Sequence, residues 1–207
     1  MRKLLSALVL LVAVSSVYAE KGEFSYIPKV KVGASKADLD YGGYSATDTE
    51  PTIGLGMDIL YGFTDNFEAG VGVSLERNYI AKDFGDFIGE SEDTRFGQLF
   101  LTGRYNFRNS SEFTPFIQAK AGLARGGESF SKSYQTRDSY YSGSVDMDAT
   151  AVYGISTGIE YKSVNVELGY EVIKVDLDME GSHNGQKESM SMEEDIKTIY
   201  LAVGYRF

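Results

Sequence analysis

The residues of this chain with chemistry to offer are charged side chains standing two apart in stretches otherwise built of glycine, serine and threonine. Lys29, Lys31, Asp58, Glu68, Glu76, Arg104, Lys120, Glu160, Glu167, Glu171 and Arg206 all fall on the polar side of a two-residue alternation whose other side is apolar. Such a set can pair its charges or guide ions, but it lacks what catalysis or tight metal binding needs. Cysteine is absent, which excludes a thiol nucleophile, a disulfide framework and a thiolate zinc site. The single histidine, His183, lies between Ser182 and Asn184 in a polar, glycine-bearing stretch and reads as a solvated loop residue rather than the base of a triad. No enzyme, cofactor or metal centre is therefore expected. A formal charge of -10 argues against a nucleic-acid partner, because phosphate backbones need a basic face.

The elements that must carry these charges are strands. The last ten residues, TIYLAVGYRF, show the rule: Ile199, Leu201, Val203, Tyr205 and Phe207 alternate with Thr198, Tyr200, Ala202, Gly204 and Arg206. The same two-residue period opens at Phe24, resumes at Ile53, and turns through Thr64-Asp65-Asn66 into a third run from Phe67 to Glu76. Further runs cover Gln98 to Phe107, Pro115 to Leu123, Met147 to Tyr161 and Val164 to Val172, which brings the count to eight with the closing strand. In the sixth run Ala149 goes with the apolar face and Thr150 with the polar one. The connections alternate long and short. Long polar breaks near 38–50, 79–94, 125–146 and 176–195 contrast with tight turns, so sequential strands must be antiparallel neighbours.

Ahead of these strands, MRKLLSALVLLVAVSSVYA has a basic start, a short apolar core and small residues before a cut after Ala19, the grammar of a secretory signal peptide. The domain plan is thus a signal peptide over 1–19 and one barrel domain over 20–207. Mean hydropathy is only -0.21, yet no apolar run in the mature chain approaches helical spanning length, so any membrane crossing must use strands. Two barrels fit eight alternating strands: a soluble one with its apolar face inward, or a transmembrane one with that face toward lipid. The polar face decides, being rich in glycine, serine and threonine that fit a narrow interior. Aromatics agree, since Tyr26, Tyr61, Phe63, Phe67, Tyr105, Phe107, Tyr161, Tyr205 and Phe207 gather on the apolar face at the short-turn end, as an interfacial girdle does. The expected fold is all-β: an eight-stranded antiparallel up-and-down transmembrane β-barrel with four long extracellular loops and short periplasmic turns.

The closing IYLAVGYRF, the hairpin YGFTDNFEAGVGVSL, the TPFIQAKAGLA opening the fifth strand and the signal peptide together resemble the small eight-stranded outer-membrane barrels of Gram-negative bacteria, the opacity-protein, OmpX and OmpA-barrel superfamily. The resemblance covers the whole mature chain. It implies a monomer in the bacterial outer membrane, in contact with outer-membrane lipid and lipopolysaccharide. It also implies that Ile199, Leu201, Val203, Tyr205 and Phe207 form a signal read by the barrel-assembly machinery. The absence of tryptophan departs from the usual girdle.

Buried charges must pair or be hydrated, so the eleven inward charges are expected to form an ion-pair network. Register places Lys29 or Lys31 near Asp58, Glu68 near Arg104, and Arg206 near Glu160 and Glu167. A narrow porin-like channel for ions or small solutes is the alternative. The loops carry a surplus of acid (Asp38, Asp40, Asp48, Glu50; Asp83, Asp86, Glu90, Glu92, Asp93; Glu188, Glu193, Glu194, Asp195), without the spacing of a calcium loop. Tyr41, Tyr44, Tyr134, Tyr140 and Tyr141, set among serine and glycine, match the composition of adaptable protein-contact surfaces. The functional expectation is an adhesin-like, surface-interacting barrel that meets a host or environmental ligand through its loops.

Overall fold

The computed structural model describes residues 21–37, 39–41, 44–46, 49–78, 94–126, 129–135, 140–183 and 186–207. The expected signal peptide and the acidic stretch from Asp83 to Asp93 lie outside them. Every element among the described residues is a strand: β1 (Phe24–Ala37), β2 (Leu39–Tyr41), β3 (Tyr44–Ala46), β4 (Thr49–Gly62), β5 (Phe67–Asn78), β6 (Thr94–Asn106), β7 (Phe113–Arg125), β8 (Ser129–Gln135), β9 (Tyr140–Tyr161), β10 (Val164–His183) and β11 (Gln186–Tyr205).

Eight of these close a ring in the order β1, β4, β5, β6, β7, β9, β10, β11, all antiparallel. First and last strands meet from Lys29 opposite Gly204 to Ala37 opposite Ile196, and the backbones of Tyr26 and Phe207 exchange bonds of 3.1 and 3.0 Å below that ladder. Closure removes the free sheet edges that a bilayer could not satisfy. Apolar side chains point outward: Leu55, Leu75, Leu101, Leu123, Leu168 and Ile199 are all exposed, while the charged set of the opposite face is buried apart from Lys29 and Lys120, which are half-buried. That reversal of the soluble pattern is what a lipid-facing surface requires.

At the short-turn end the aromatic residues touch around the rim. Ring centroids lie 5.0 Å apart for Phe24 and Tyr61, 5.0 Å for Tyr61 and Phe63, 5.1 Å for Tyr105 and Phe107, 4.7 Å for Phe113 and Tyr161, and 4.8 Å for Tyr205 and Phe207.

The other end departs from the sequence reading. Stretches expected as long irregular loops are largely strand: β9, β10 and β11 run 22, 20 and 20 residues, about twice what a tilted spanning strand needs. The expected break at 176–195 is a continuous hairpin pairing Asp176 with Glu193 through to His183 with Gln186. His183 is therefore the last residue of a strand, also opposite Tyr141, and not a loop residue. Ladder hydrogen bonds hold these polar strands because their backbone groups are satisfied whatever the side chains are. β8 pairs with the upper part of β9, and β2 with β3 forms a small hairpin of its own.

A bulge between Lys174 and Val175 leaves Thr150 of β9 without a register partner. The extra residue reverses the phase of β9 above it, so Ala149 is buried and Thr150 exposed, the opposite of the assignment from alternation.

Candidate functional site

The lumen is the place where charged side chains converge, and it is filled in three levels. At the short-turn end Arg104 and Arg206, both fully enclosed, face Glu68 and Glu160. Arg206 donates through Nη2 to Glu68 at 3.1 Å and through Nε to Glu160 at 3.0 Å; Arg104 reaches Glu160 at 2.6 Å and lies 3.9 Å from Glu68. Further guanidinium hydrogens go to Glu68 Oε1 at 3.1 Å and Ser25 at 2.7 Å from Arg206, and to Asn165 at 2.6 Å and Asn106 at 2.8 Å from Arg104. The Arg104 guanidinium also lies 3.6 Å above the centre of the Phe116 ring. A buried ion pair is held when its spare donors and acceptors find partners, and most of them do here, Nδ2 of Asn165 being an exception among the described residues.

At mid-height Lys29 bridges Asp58 at 2.7 Å and Glu167 at 2.6 Å, and Tyr200 donates its hydroxyl to Glu167 at 2.8 Å. Lys31 contacts Glu76 and, at 2.7 Å, Glu171; Lys120 contacts Glu171. Gln98 and Gln118 donate to Glu76 and Asp58 at 2.8 and 2.9 Å. Of the two lysines expected near Asp58, Lys29 is the one that pairs with it. One pairing differs from those expected: Glu167 serves Lys29 and Tyr200 rather than Arg206, because strand tilt offsets inward side chains of neighbouring strands by more than a count along each strand shows.

The glycines of this face make room for large inward rings. A methyl group on Gly169 would lie 2.3 Å from Cζ of Tyr200, and one on Gly72 would lie 2.2 Å from Cε2 of Phe100. Strand glycine here marks close approach by a neighbour rather than a weak point in the sheet.

Above Phe100 the chemistry changes. Phe96, Phe100, Ala124, Ala149, Val152, Ile173, Val175, Leu177 and Ile196 form one buried apolar cluster, with Met192 packed against it. Across from it Ser35 bonds to Thr52 and, at 2.7 Å, to Thr198. Reading charges alone missed this level. Its signal was present at Val172-Ile173, where the apolar residues of β10 change from even to odd positions and so from the lipid face to the lumen.

A cavity of about 40 Å³ lies among Lys29, Lys31, Asp58, Glu76, Gln118 and Tyr200, the size of one or two water molecules. Oε2 of Glu76 and Oε1 of Gln118 receive no hydrogen bond there from the described residues.

No family model matches the sequence, and neither does any curated protein. Solved structures do match in fold. The chain is similar to Ail, the attachment invasion locus protein of Yersinia pestis, at 16% identity and a TM-score of 0.50, over 90% of this chain and 99% of that one. It is similar to the outer-membrane protein AlkL at 18% identity and a TM-score of 0.48, over 94% of each chain. Neisserial surface protein A follows at 16% identity and a TM-score of 0.42, over 88% and 97%.

The chain folds as a small eight-stranded outer-membrane barrel.

In this barrel the expected assembly-signal residues Ile199, Leu201 and Val203 are exposed on the lipid face of β11, and Tyr205 and Phe207 stand in the aromatic rim below them. Glu50, Glu193, Glu194 and Asp195 of the acidic set lie at the opposite end, on β4 and β11. Tyr41 is the register partner of Tyr44, and Tyr134 that of Tyr141.

Proposed function

We propose that the barrel is a closed scaffold in the outer membrane that displays a sheet for contact with partners outside the cell. The reading rests on one observation: β9, β10 and β11 continue together for roughly ten residues beyond a spanning length, paired throughout, with β8 added at their side. A strand that merely crosses the membrane has no need of that extension. The paired tyrosines of the hairpins suit adaptable protein contacts, since the ring offers large area at small entropic cost. The terminal residues Ile199, Leu201, Val203, Tyr205 and Phe207 are proposed as the segment read by the assembly machinery.

A narrow channel has less support, because the cavity between Lys29, Lys31 and Tyr200 holds only about 40 Å³ and is bounded above by an apolar layer, which resists wetting. The test shortens the β10–β11 hairpin and the matching part of β9 to spanning length. The shortened protein should still fold and migrate as a heat-modifiable barrel, but lose attachment of cells to a panel of matrix proteins. Unchanged attachment, together with steady single-channel current from the full-length protein in planar bilayers, would replace the scaffold reading with the channel.

A further inference from the structure

Methionine is unevenly placed in this chain. Of its six, Met1 lies in the expected signal peptide and Met57 is exposed on the lipid face, whereas Met147, Met179, Met190 and Met192 all fall on β9, β10 and β11, above the spanning part of the barrel. They occupy two adjacent register rows: Met147, Leu177 and Met192 in one, Val145, Met179 and Met190 in the next. On β11 the run Met190-Ser191-Met192 sets two methionines in phase with the buried Ile196, about 7 Å apart along the strand. Position 179 keeps the phase of the buried Val175 and Leu177 on β10 and stands directly opposite Met190. Positions directly opposite are about 5 Å apart at Cβ and diagonal ones about 7–8 Å, distances that long side chains span. Position 179 is thus the direct neighbour of Met190 and the diagonal neighbour of Met192.

Filling space does not account for this grouping. The apolar layer beneath is packed from Phe96, Val152, Ile173 and Leu177, and although Met192 rests against it, Met190 stays 46% exposed at a height beyond spanning length. The backbone there is held in place, because Ser191 donates to Asp178 at 2.5 Å on the opposite side of the sheet and so ties β11 to β10 between the two methionines. Thioether sulfur is a neutral, soft donor that selects soft monovalent cations of the copper(I) class over calcium or magnesium, which take oxygen. Cysteine is absent, so methionine is the only soft sulfur ligand the chain has. Asp148, Asp176 and Glu193 form one row across the outward side of the same strands, and their field favours any cation that approaches.

We propose that Met190 and Met192, with Met179 as the register partner of Met190, form a thioether site for one soft monovalent cation of the copper(I) class on the extended sheet. The probe is silver(I), which shares that charge and softness and needs no reductant. The folded full-length barrel, in neutral detergent micelles and chloride-free buffer, is titrated with silver nitrate by calorimetry. One ion per chain is expected, with sulfur as the nearest shell in X-ray absorption. Met190→Leu/Met192→Leu nearly conserves volume, so the barrel should keep its heat-modifiable migration, yet bind silver about a hundredfold more weakly. Met190→Leu alone alters an exposed side chain and should weaken binding about tenfold, which keeps the test valid if the double variant fails to fold. Met57→Leu, on the lipid face, should change nothing, and excess calcium should not displace the silver. Equal binding by the folded double variant, or by Met190→Leu where the double variant does not fold, overturns the site, as does an oxygen shell or displacement by calcium. Silver binding is read without any partner protein, so its outcome is separate from that of the attachment test.

Discussion

Below Phe100 the lumen holds the charged side chains, with Ile27, Leu60 and Phe116 between them, and above it the buried side chains carry no charge. Both halves solve one packing problem, the filling of a barrel too narrow for solvent, but their tolerance of change differs in kind. In the lower half each charged side chain is held by specific partners: Arg206 alone serves Glu68, Glu160 and Ser25. In the upper half Ile173, Leu177 and Phe96 need only neighbours of the right volume. Charged filling is unforgiving of deletion because it strands a buried ion. Apolar filling is graded, since the cost of truncation follows the space left behind.

Five substitutions test that contrast. Arg206→Met should be the most damaging, lowering unfolding stability by about 3–5 kcal/mol in a denaturant titration of the micelle-bound barrel, because Glu68 and Glu160 lose a buried counter-ion. Adding Glu68→Gln to it should restore part of the loss; a double variant as unstable as the sum of two single ones would mean the two residues are not coupled. Ile173→Ala should cost about 3 kcal/mol in the same measurement, with the same value at low and high salt. A cost that falls with salt there would place charge where the structure has only hydrocarbon.

Gly169→Ala probes the fit between the halves. The added methyl meets the Tyr200 ring, so a loss of about 1–3 kcal/mol is expected, accompanied by release of the Tyr200 hydroxyl from Glu167, visible as a shift in its tyrosine ultraviolet band. A neutral result would show that the ring has room to move. Ser35→Ala, at the polar margin of the upper layer, should cost only about 1 kcal/mol, since it removes one hydroxyl from a row of three. A loss as large as that for Arg206→Met would make the hydroxyl row, not the ion pairs, the firmer lock.

The ion pairs and the apolar layer were unequally legible in the sequence. Every one of the eleven charges could be assigned to the inward face, because alternation is a local property and glycine, serine and threonine surround them. Which charge meets which could not, as Glu167 illustrates: it lies two residues from Asn165 along β10 but joins Lys29 on β1, across the lumen. Nor could the extra height of β9, β10 and β11. The upper half of β10 alternates from Ile173 to Glu180 in the phase opposite to its lower half, and the Asp, Glu and Ser that dominate the three upper halves read as loop until a partner strand supplies the ladder.

The two-residue period, the position of the aromatics and the size of the polar residues were enough by themselves to determine eight strands, their antiparallel order and the face that meets lipid, because each is set by one strand and its immediate turn. The tertiary structure decided what depends on strands meeting at a particular tilt and phase: the pairing inside the lumen, the bulge that turns Ala149 inward and the apolar layer above Phe100. A side chain's face is written in its own strand, whereas its partner is chosen by the register and closure of the whole ring.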